Sequence, residues 1–251
     1  MCLLSFNWLD HSIYKLILVA NRDEFFDRPS SSLHVWPTGI YAGKDIKGRG
    51  TWMGMHPKGK FAALTNYRGP SIGKENPISR GKLVKDFLEN QEGPFEYLSR
   101  VQEKMHEYYG FNLLVANGEE MGYLSNFRQG MEKVNPGLHG ISNAFLDTSW
   151  PKVEMAKSGL KELISRDEIN LDTLLELLQS RSYAPDESLP QTGISYEMEK
   201  ALSAQFINKE KYGTVNISVI LWKHDGNVVI KERRTTTLEE VQKEFKMVHP
   251  A

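Results

Sequence analysis

The chain has 251 residues, with 31 Lys and Arg against 32 Asp and Glu and a net charge of −1. That balance provides no basic field for nucleic acid or an anionic membrane surface and points to a small or neutral partner. The single cysteine excludes an internal disulfide framework and paired-cysteine zinc or redox sites, which fits a reducing cytoplasm. The first apolar run stops at Asp10 and His11, short of a signal or membrane segment, and no later run is long enough. The expectation is one domain over residues 1–251, cytoplasmic and without membrane insertion.

In chain order, MCLLSFNW and YKLILVANRD are nearly continuous apolar runs separated by Asp10-His11-Ser12. They read as paired strands buried on both faces. The segment 40–67 has turn signals at 48–50 and 57–59 with strand-like runs between them, which predicts a meander. RGKLVKDFLENQ and GPFEYLSRVQEKMHEYY space their apolar residues as helices, the second after a Gly-Pro start.

Strands return in FNLLVAN, in EMGYLSN and in a pair around Glu132 and Gly140, broken by Asn117-Gly118 and Asn135-Pro136-Gly137. A second meander is expected there. Pro151 opens a helix to about Ser165, and LDTLLELLQS places Leu171, Leu174, Leu175 and Leu178 on one helical face. Residues 182–195, with Pro185, Pro190 and Gly193, read as an irregular loop. YGTVNISVILWK alternates Val215, Ile217, Val219 and Leu221 on one face, turns at Asp225-Gly226-Asn227 and returns as VVIKERR, a hairpin. The closing TTTLEEVQKEFKMV fits a helix or an edge strand. Strands, then helices, then strands again make an α+β layered fold.

Position 2 sets the chemistry. If the initiator Met1 is removed, which a small second residue permits, Cys2 carries both a thiol and a free α-amine. The amine titrates at roughly 7.7 to 8 and the thiol at about 8.5, so the amine can take the thiol proton without a histidine. A thiolate so formed attacks an acyl carbonyl and leaves a thioester for water to cleave. Read alone, Cys2 fits an inert core position beside Leu3 and Leu4 equally well. Acyl transfer also needs donors for the developing oxyanion, and Asn66 and Asn143 both stand at strand ends. The second strand runs into Arg22, which favours a thiolate, and Asp23, which could hold the α-amine or fix Arg22. Each of these also has an ordinary reading as a turn residue or surface ion pair.

Gly48-Arg49-Gly50 lacks the strand-then-helix context of a phosphate loop and reads as a hairpin turn. The seven histidines are scattered without a helical zinc spacing, so neither a metal nor a cofactor is expected. His139 lies near the Asn143 strand end as a supporting residue.

MCLLSF, ANRDEFFDRP, GKDIKGRGTWMGMHPKGKFAALTNYR and GISNAFLDTSWPKV together resemble the NRDE family of transport and Golgi organisation protein 2 homologues. The resemblance spans nearly the whole chain. It implies the four-layer αββα sandwich of the N-terminal nucleophile hydrolases, two antiparallel sheets between helical layers. The pattern is similar to the cysteine branch of those enzymes, the choloylglycine hydrolases and penicillin V acylases. By that likeness Cys2 is the nucleophile, Arg22 and Asp23 its electrostatic support, and Asn66 and Asn143 the oxyanion donors. Asp23 follows Arg22 more closely than in the acylases. A late arginine completes the acylase site, but Val215 stands after Tyr212-Gly213-Thr214, leaving Arg233 or Arg234 to take its place.

Two functions follow. One is a hydrolase of a linear amide or thioester bond in a small molecule. The other is a non-catalytic carrier or chaperone of an apolar metabolite, since the family's eukaryotic member is linked to secretory organisation, lipid and acyl-CoA metabolism and haem mobilisation. In that reading Trp36, Trp52 and Trp150 are candidates to line the pocket. The loops 70–79 and 183–195 are expected to shape it.

Overall fold

The structure, a computed structural model, describes residues 2–69 and 77–248. Met1 and most of the expected 70–79 loop lie outside these residues. The described strands are β1 (Cys2–Trp8), β2 (Tyr14–Phe25), β3 (Ser30–Val35), β4 (Tyr41–Asp45), β5 (Met53–His56), β6 (Lys60–Asn66), β7 (Phe111–Ala116), β8 (Met121–Ser125), β9 (Met131–Lys133), β10 (Gly137–Ile141), β11 (Tyr212–Lys223), β12 (Asn227–Arg234) and β13 (Glu240–Lys246). The α-helices are α1 (Gly81–Glu89), α2 (Pro94–Lys104), α3 (Pro151–Ser165), α4 (Leu171–Leu177) and α5 (Tyr196–Ala201).

The strands form two antiparallel sheets. One runs β10-β1-β2-β11-β12-β13 and the other β3-β4-β5-β6-β7-β8-β9. Their facing surfaces enclose one core, to which β1 contributes Cys2, Leu4, Phe6 and Trp8 and the second sheet Met55, Phe61 and Ala63. The intervening Leu3, with Ile17 and Val19, faces outward onto Val153, Ala156 and Leu160 of α3 and Leu174 and Leu175 of α4. On the far side, Ala62, Leu64 and Val115 pack on Leu83, Phe87 and Leu98 of α1 and α2. This is the αββα sandwich. Its central strands need apolar side chains on both faces, which is why β1 and β2 read as continuous runs rather than alternating ones.

Three expectations change. The meander at 40–67 and the strands after residue 110 are one sheet, because β6 pairs with β7. The expected pair around Glu132 and Gly140 does not pair: β9 stays beside β8, while β10 crosses to the other sheet and pairs with β1. Asn135-Pro136-Gly137 is therefore a crossing between layers, with Gly137 at a φ of 142°. The third change is at Val215. A register irregularity between Thr214 and Asn216 takes it out of the Ile217, Val219, Leu221 face, which packs on the helices, and leaves it lining a cavity.

The closing segment is the edge strand β13, and its burial alternates along its length. Gly50 lies in the expected turn and cannot carry a side chain, since a Cβ there would stand 2.5 Å from the Gly81 backbone. Among the described residues no helix is long and apolar enough to cross a membrane.

Candidate active site

Cys2 is the first residue of β1 and stands directly opposite Arg22 of β2. Paired residues share a face, so both side chains project between the sheets, and both line a cavity of about 840 Å3 at that end of the sandwich. The strand end is fixed by Ser142, whose hydroxyl donates to the Cys2 carbonyl at 2.8 Å.

The ANRDE run splits by strand alternation. Arg22 and Glu24 face the interior with Cys2, whereas Asn21 and Asp23 alternate to the other face, though Asp23, unlike Asn21, still reaches the cavity wall. Arg22 lies 3.5 Å from Glu24 and 3.6 Å from Asp45, and Arg28 joins them with an Nε to Asp45 distance of 2.7 Å. Asp23 is buried and accepts from the Thr214 hydroxyl at 2.7 Å. The bulge in β11 makes that contact possible by setting Thr214 opposite Asp23 and Asn216 opposite Arg22. Gly213 lets β11 start against residue 207, since a Cβ would meet the Ile207 carbonyl oxygen at 2.5 Å.

Burial pushes the Cys2 thiol up to about 11; the N-terminal amine and Arg22 oppose the rise and Asp23 adds to it. Arg22 thus acts in the expected direction, but desolvation outweighs it. Burial also raises Asp23, against the pull of the N-terminal amine first, then of Lys152, the Thr214 hydrogen bond and Arg22.

The two asparagines meet. Asn66 ends β6 and lines the cavity, and its carbonyl accepts from Asn143 Nδ2 at 2.8 Å. Asn143 is fully buried just after β10, and its Oδ1 lies 3.1 Å from the Ser142 hydroxyl oxygen. One Asn143 N–H is therefore committed to bracing the two strand ends, and Asn143, unlike Asn66, is not in the cavity wall.

Of the candidates for the late arginine, Arg234 lines the cavity and donates to the Ser30 carbonyl at 3.1 Å. Arg233 points away, to Glu176 and Glu240. Arg80 also lines the cavity, held by a 2.8 Å bond to the Gly110 carbonyl. Trp52 lines it too, whereas Trp36 belongs to the core beneath α1 and α2, and Trp150 packs at the α3 side under Arg68.

Sequence reasoning missed α5. It is a six-residue helix, too short to show a period, yet Ser195 caps it by accepting from Met198 N. It carries Glu199 to a 2.7 Å ion pair with Arg68 and sets Met198 and Leu202 in the cavity wall. Lys152 and Thr214 were missed as well, because only the fold brings them to Asp23. Among the described residues no group of three or more His, Cys, Asp or Glu could hold a metal ion.

His139 does not reach this centre. Its Nδ1 lies 2.7 Å from Asp147 and its Nε2 2.9 Å from the Asn135 carbonyl, and its ring packs on Phe6. With acceptors at both nitrogens the imidazolium is favoured. Burial alone would lower its pKa, but the Asp147 and Asn135 hydrogen bonds raise it. The stabilisation is therefore full below the unfolded value of about 6.5 and is lost as pH rises through the raised folded value. Urea unfolding across that range should show a fall of about 1 kcal/mol, discounted for partial exposure, that His139→Gln lacks.

Residues 1–237 match the family model for Transport and Golgi organisation 2. The chain belongs to that family. It is 34% identical to the transport and Golgi organization protein 2 homologs of Bos taurus and Homo sapiens, in each case over 93% of this chain and 92% of the relative. The Drosophila melanogaster protein is 26% identical over 90% of this chain and 88% of its own length. Among solved structures, the C2A variant of conjugated bile acid hydrolase from Clostridium perfringens aligns with a TM-score of 0.54 at 10% identity, covering 97% of this chain and 92% of that one. The Caenorhabditis elegans ortholog of N-acylethanolamine-hydrolyzing acid amidase aligns with a TM-score of 0.49 at 12% identity, over 88% and 92%. This Transport and Golgi organisation 2 chain thus has the fold of the N-terminal nucleophile hydrolases, with the start of β1 at the cavity.

Proposed function

We propose that the chain is an N-terminal cysteine hydrolase that cleaves a linear amide or thioester bond of a small molecule. The observation that carries this reading is the placement of Cys2 on the cavity wall directly opposite Arg22, with Asp23 next in the strand. The neighbouring bile acid hydrolase was solved with a C2A substitution, so its second residue is also a cysteine, and this supports the reading.

Catalysis begins with removal of Met1, which frees the α-amine of Cys2. The amine accepts the Sγ proton, and Sγ attacks the acyl carbon while Asn66 donates to the oxyanion. The bond from acyl carbon to nitrogen or sulfur breaks, and the leaving atom takes the proton back from the ammonium. Water then adds to the thioester, giving its proton to the amine, and the acid leaves as the thiol is restored. Arg22 offsets the charge on sulfur, and Asp23 holds the amine.

One observation favours a second reading, a carrier of an apolar metabolite. A protonated thiol beside the apolar wall of Trp52, Leu64, Ile78, Ile194, Met198 and Leu202 would hold such a molecule without turning it over.

Intact mass of the native protein, followed by alkylation and peptide mapping, separates the two. The hydrolase predicts a chain lacking Met1 whose Cys2 is labelled in the folded state, and about tenfold slower labelling in Arg22→Ala, the effect of one unit of thiol pKa. A retained Met1, or a Cys2 that reacts only on unfolding, overturns the hydrolase and leaves the carrier.

A further inference from the structure

The strand registers set a row of side chains in line along one wall of the cavity. Cys2 stands opposite Arg22, Arg22 opposite Asn216, and Asn216 opposite Arg234, so a single rung crosses β1, β2, β11 and β12. Residues paired in this way share a face, and all four line the cavity. Neighbouring strands lie about 4.8 Å apart, which puts the Arg234 end of the row about 14 Å from the Cys2 end.

The charges along the row are not alike. Arg22 and Arg28 share Glu24 and Asp45 through contacts of 2.7 to 3.6 Å, so that cluster is neutral. Arg234 has no ion pair among the described residues. Its Nη1 donates to the Ser30 carbonyl at 3.1 Å and its Nη2 to the Ser30 hydroxyl at 3.4 Å. Those contacts leave Nε–H unspent, and Nε with Nη2 forms the side-on fork that takes both oxygens of a carboxylate. Glu232 lines the cavity two residues earlier on the same strand face, but its oxygens already accept from the Leu33 N–H at 2.9 Å and from Asn216 Nδ2 at 2.7 Å. Arg80, the other guanidinium of the wall with no acid partner, is turned to the Gly110 carbonyl and the Tyr109 ring. Trp52, Leu64, Met198 and Leu202 supply apolar wall in the same cavity.

We propose that Arg234 is a specificity-determining residue: the substrate presents its scissile carbonyl to Cys2 and, at the far end of an apolar body, a carboxylate to Arg234. The scissile bond rests on the hydrolase reading, whereas the carboxylate site stands on the strand registers and the unspent fork. A singly charged group suits this place, because the Glu232 carboxylate beside it repels a phosphate dianion.

Calorimetric titration of the Cys2→Ala chain, which leaves amides intact, tests the site apart from turnover. The probes are N-methyl monoamides of straight-chain α,ω-dicarboxylic acids of graded length, each beside its uncharged bis-amide. The acid should bind about tenfold tighter than the bis-amide, the scale of a charge-assisted bidentate contact, with an optimum at a chain long enough to span the row. Arg234→Gln should remove most of that preference, Arg234→Lys should keep part of it, and Arg80→Gln should cost less than Arg234→Gln. Where Arg234 is retained, the preference should also fall as salt rises from about 0.05 to 0.5 M, which reads the same contact without a substitution there. An acid preference that is absent, insensitive to salt, kept in Arg234→Gln or lost equally in Arg80→Gln overturns the proposal. Tighter binding of a matched phosphate monoester overturns it as well. The corresponding thioesters, offered to the processed wild-type chain, separate the two readings. Acid preference in binding without turnover removes the hydrolase and keeps the Arg234 site, and turnover blind to the terminal acid keeps the hydrolase and removes the site.

Discussion

Cys2→Ala is expected to lower hydrolysis of any amide or thioester that the wild-type chain turns over by a factor on the order of 10^4 or more, with the fold retained. The size follows from the chemistry, since no other cysteine exists to accept the acyl group. The fold is spared because Cys2 borders a cavity already present, so losing its sulfur costs well under the ~2 kcal/mol of a fully packed core deletion. An uncleavable extension placed before Met1 should cause a comparable loss while leaving the thiol in place, because residue 2 then has no free amine to accept its proton. Single-turnover assays with a series of acyl amides and thioesters, normalised to circular dichroism, check both. Turnover that survives Cys2→Ala would rule out the N-terminal nucleophile. Turnover lost in Cys2→Ala and kept in the extended chain would retain the thiol and dismiss the amine as its base.

The second large effect is on stability, at Asn21. Its Nδ2 donates to the carbonyls of Leu178 and Gln205 at 2.9 Å each, tying β2 to the segment after α4 and to the approach to β11. Asn21→Asp keeps the shape and turns a donor into a carboxylate oxygen facing two carbonyls in a fully buried position. The expected cost is about 3–5 kcal/mol at pH 7, the range for an uncompensated buried charge. Such a carboxyl has a folded pKa raised above the unfolded value of about 3.9. The folded state then binds more protons, and the variant is least destabilised below that value and loses stability as pH rises through the folded one. Urea midpoints at pH 4 and pH 7, relative to wild type, test this. A variant equally stable at both would show that the amide is not what holds those segments.

Asn21 also shows how a motif can be read correctly and understood only in part. The run ANRDE marks the family and the strand end, but its letters serve two faces. Arg22 joins Cys2 at the cavity, while Asn21 turns to the segments beneath the helices and Asp23, on Asn21's face, still borders the cavity, a division that follows once β2 is known to be covered on both sides. The helix from Pro151 to Ser165 was legible from its opening proline and its period, and the β11–β12 hairpin from its alternation and its Asp-Gly-Asn turn. Each of those signals lies within a few residues of the feature it specifies. The α5 helix gave none, because six residues complete fewer than two turns and its cap is a common Ser.

By itself the sequence determined the layered α+β order, the doubly buried first strands and the presence of a single cysteine at residue 2, since side-chain period, turn chemistry and cysteine count are local properties. Tertiary structure alone decided that β9 and β10 part to different sheets, that Val215 leaves its face at a bulge, that Asn143 spends one donor on Asn66, and that Thr214 meets Asp23 and Glu199 meets Arg68. Those outcomes depend on register between strands far apart in the chain and on where buried charges find partners. Both are fixed only when the layers close and water is excluded.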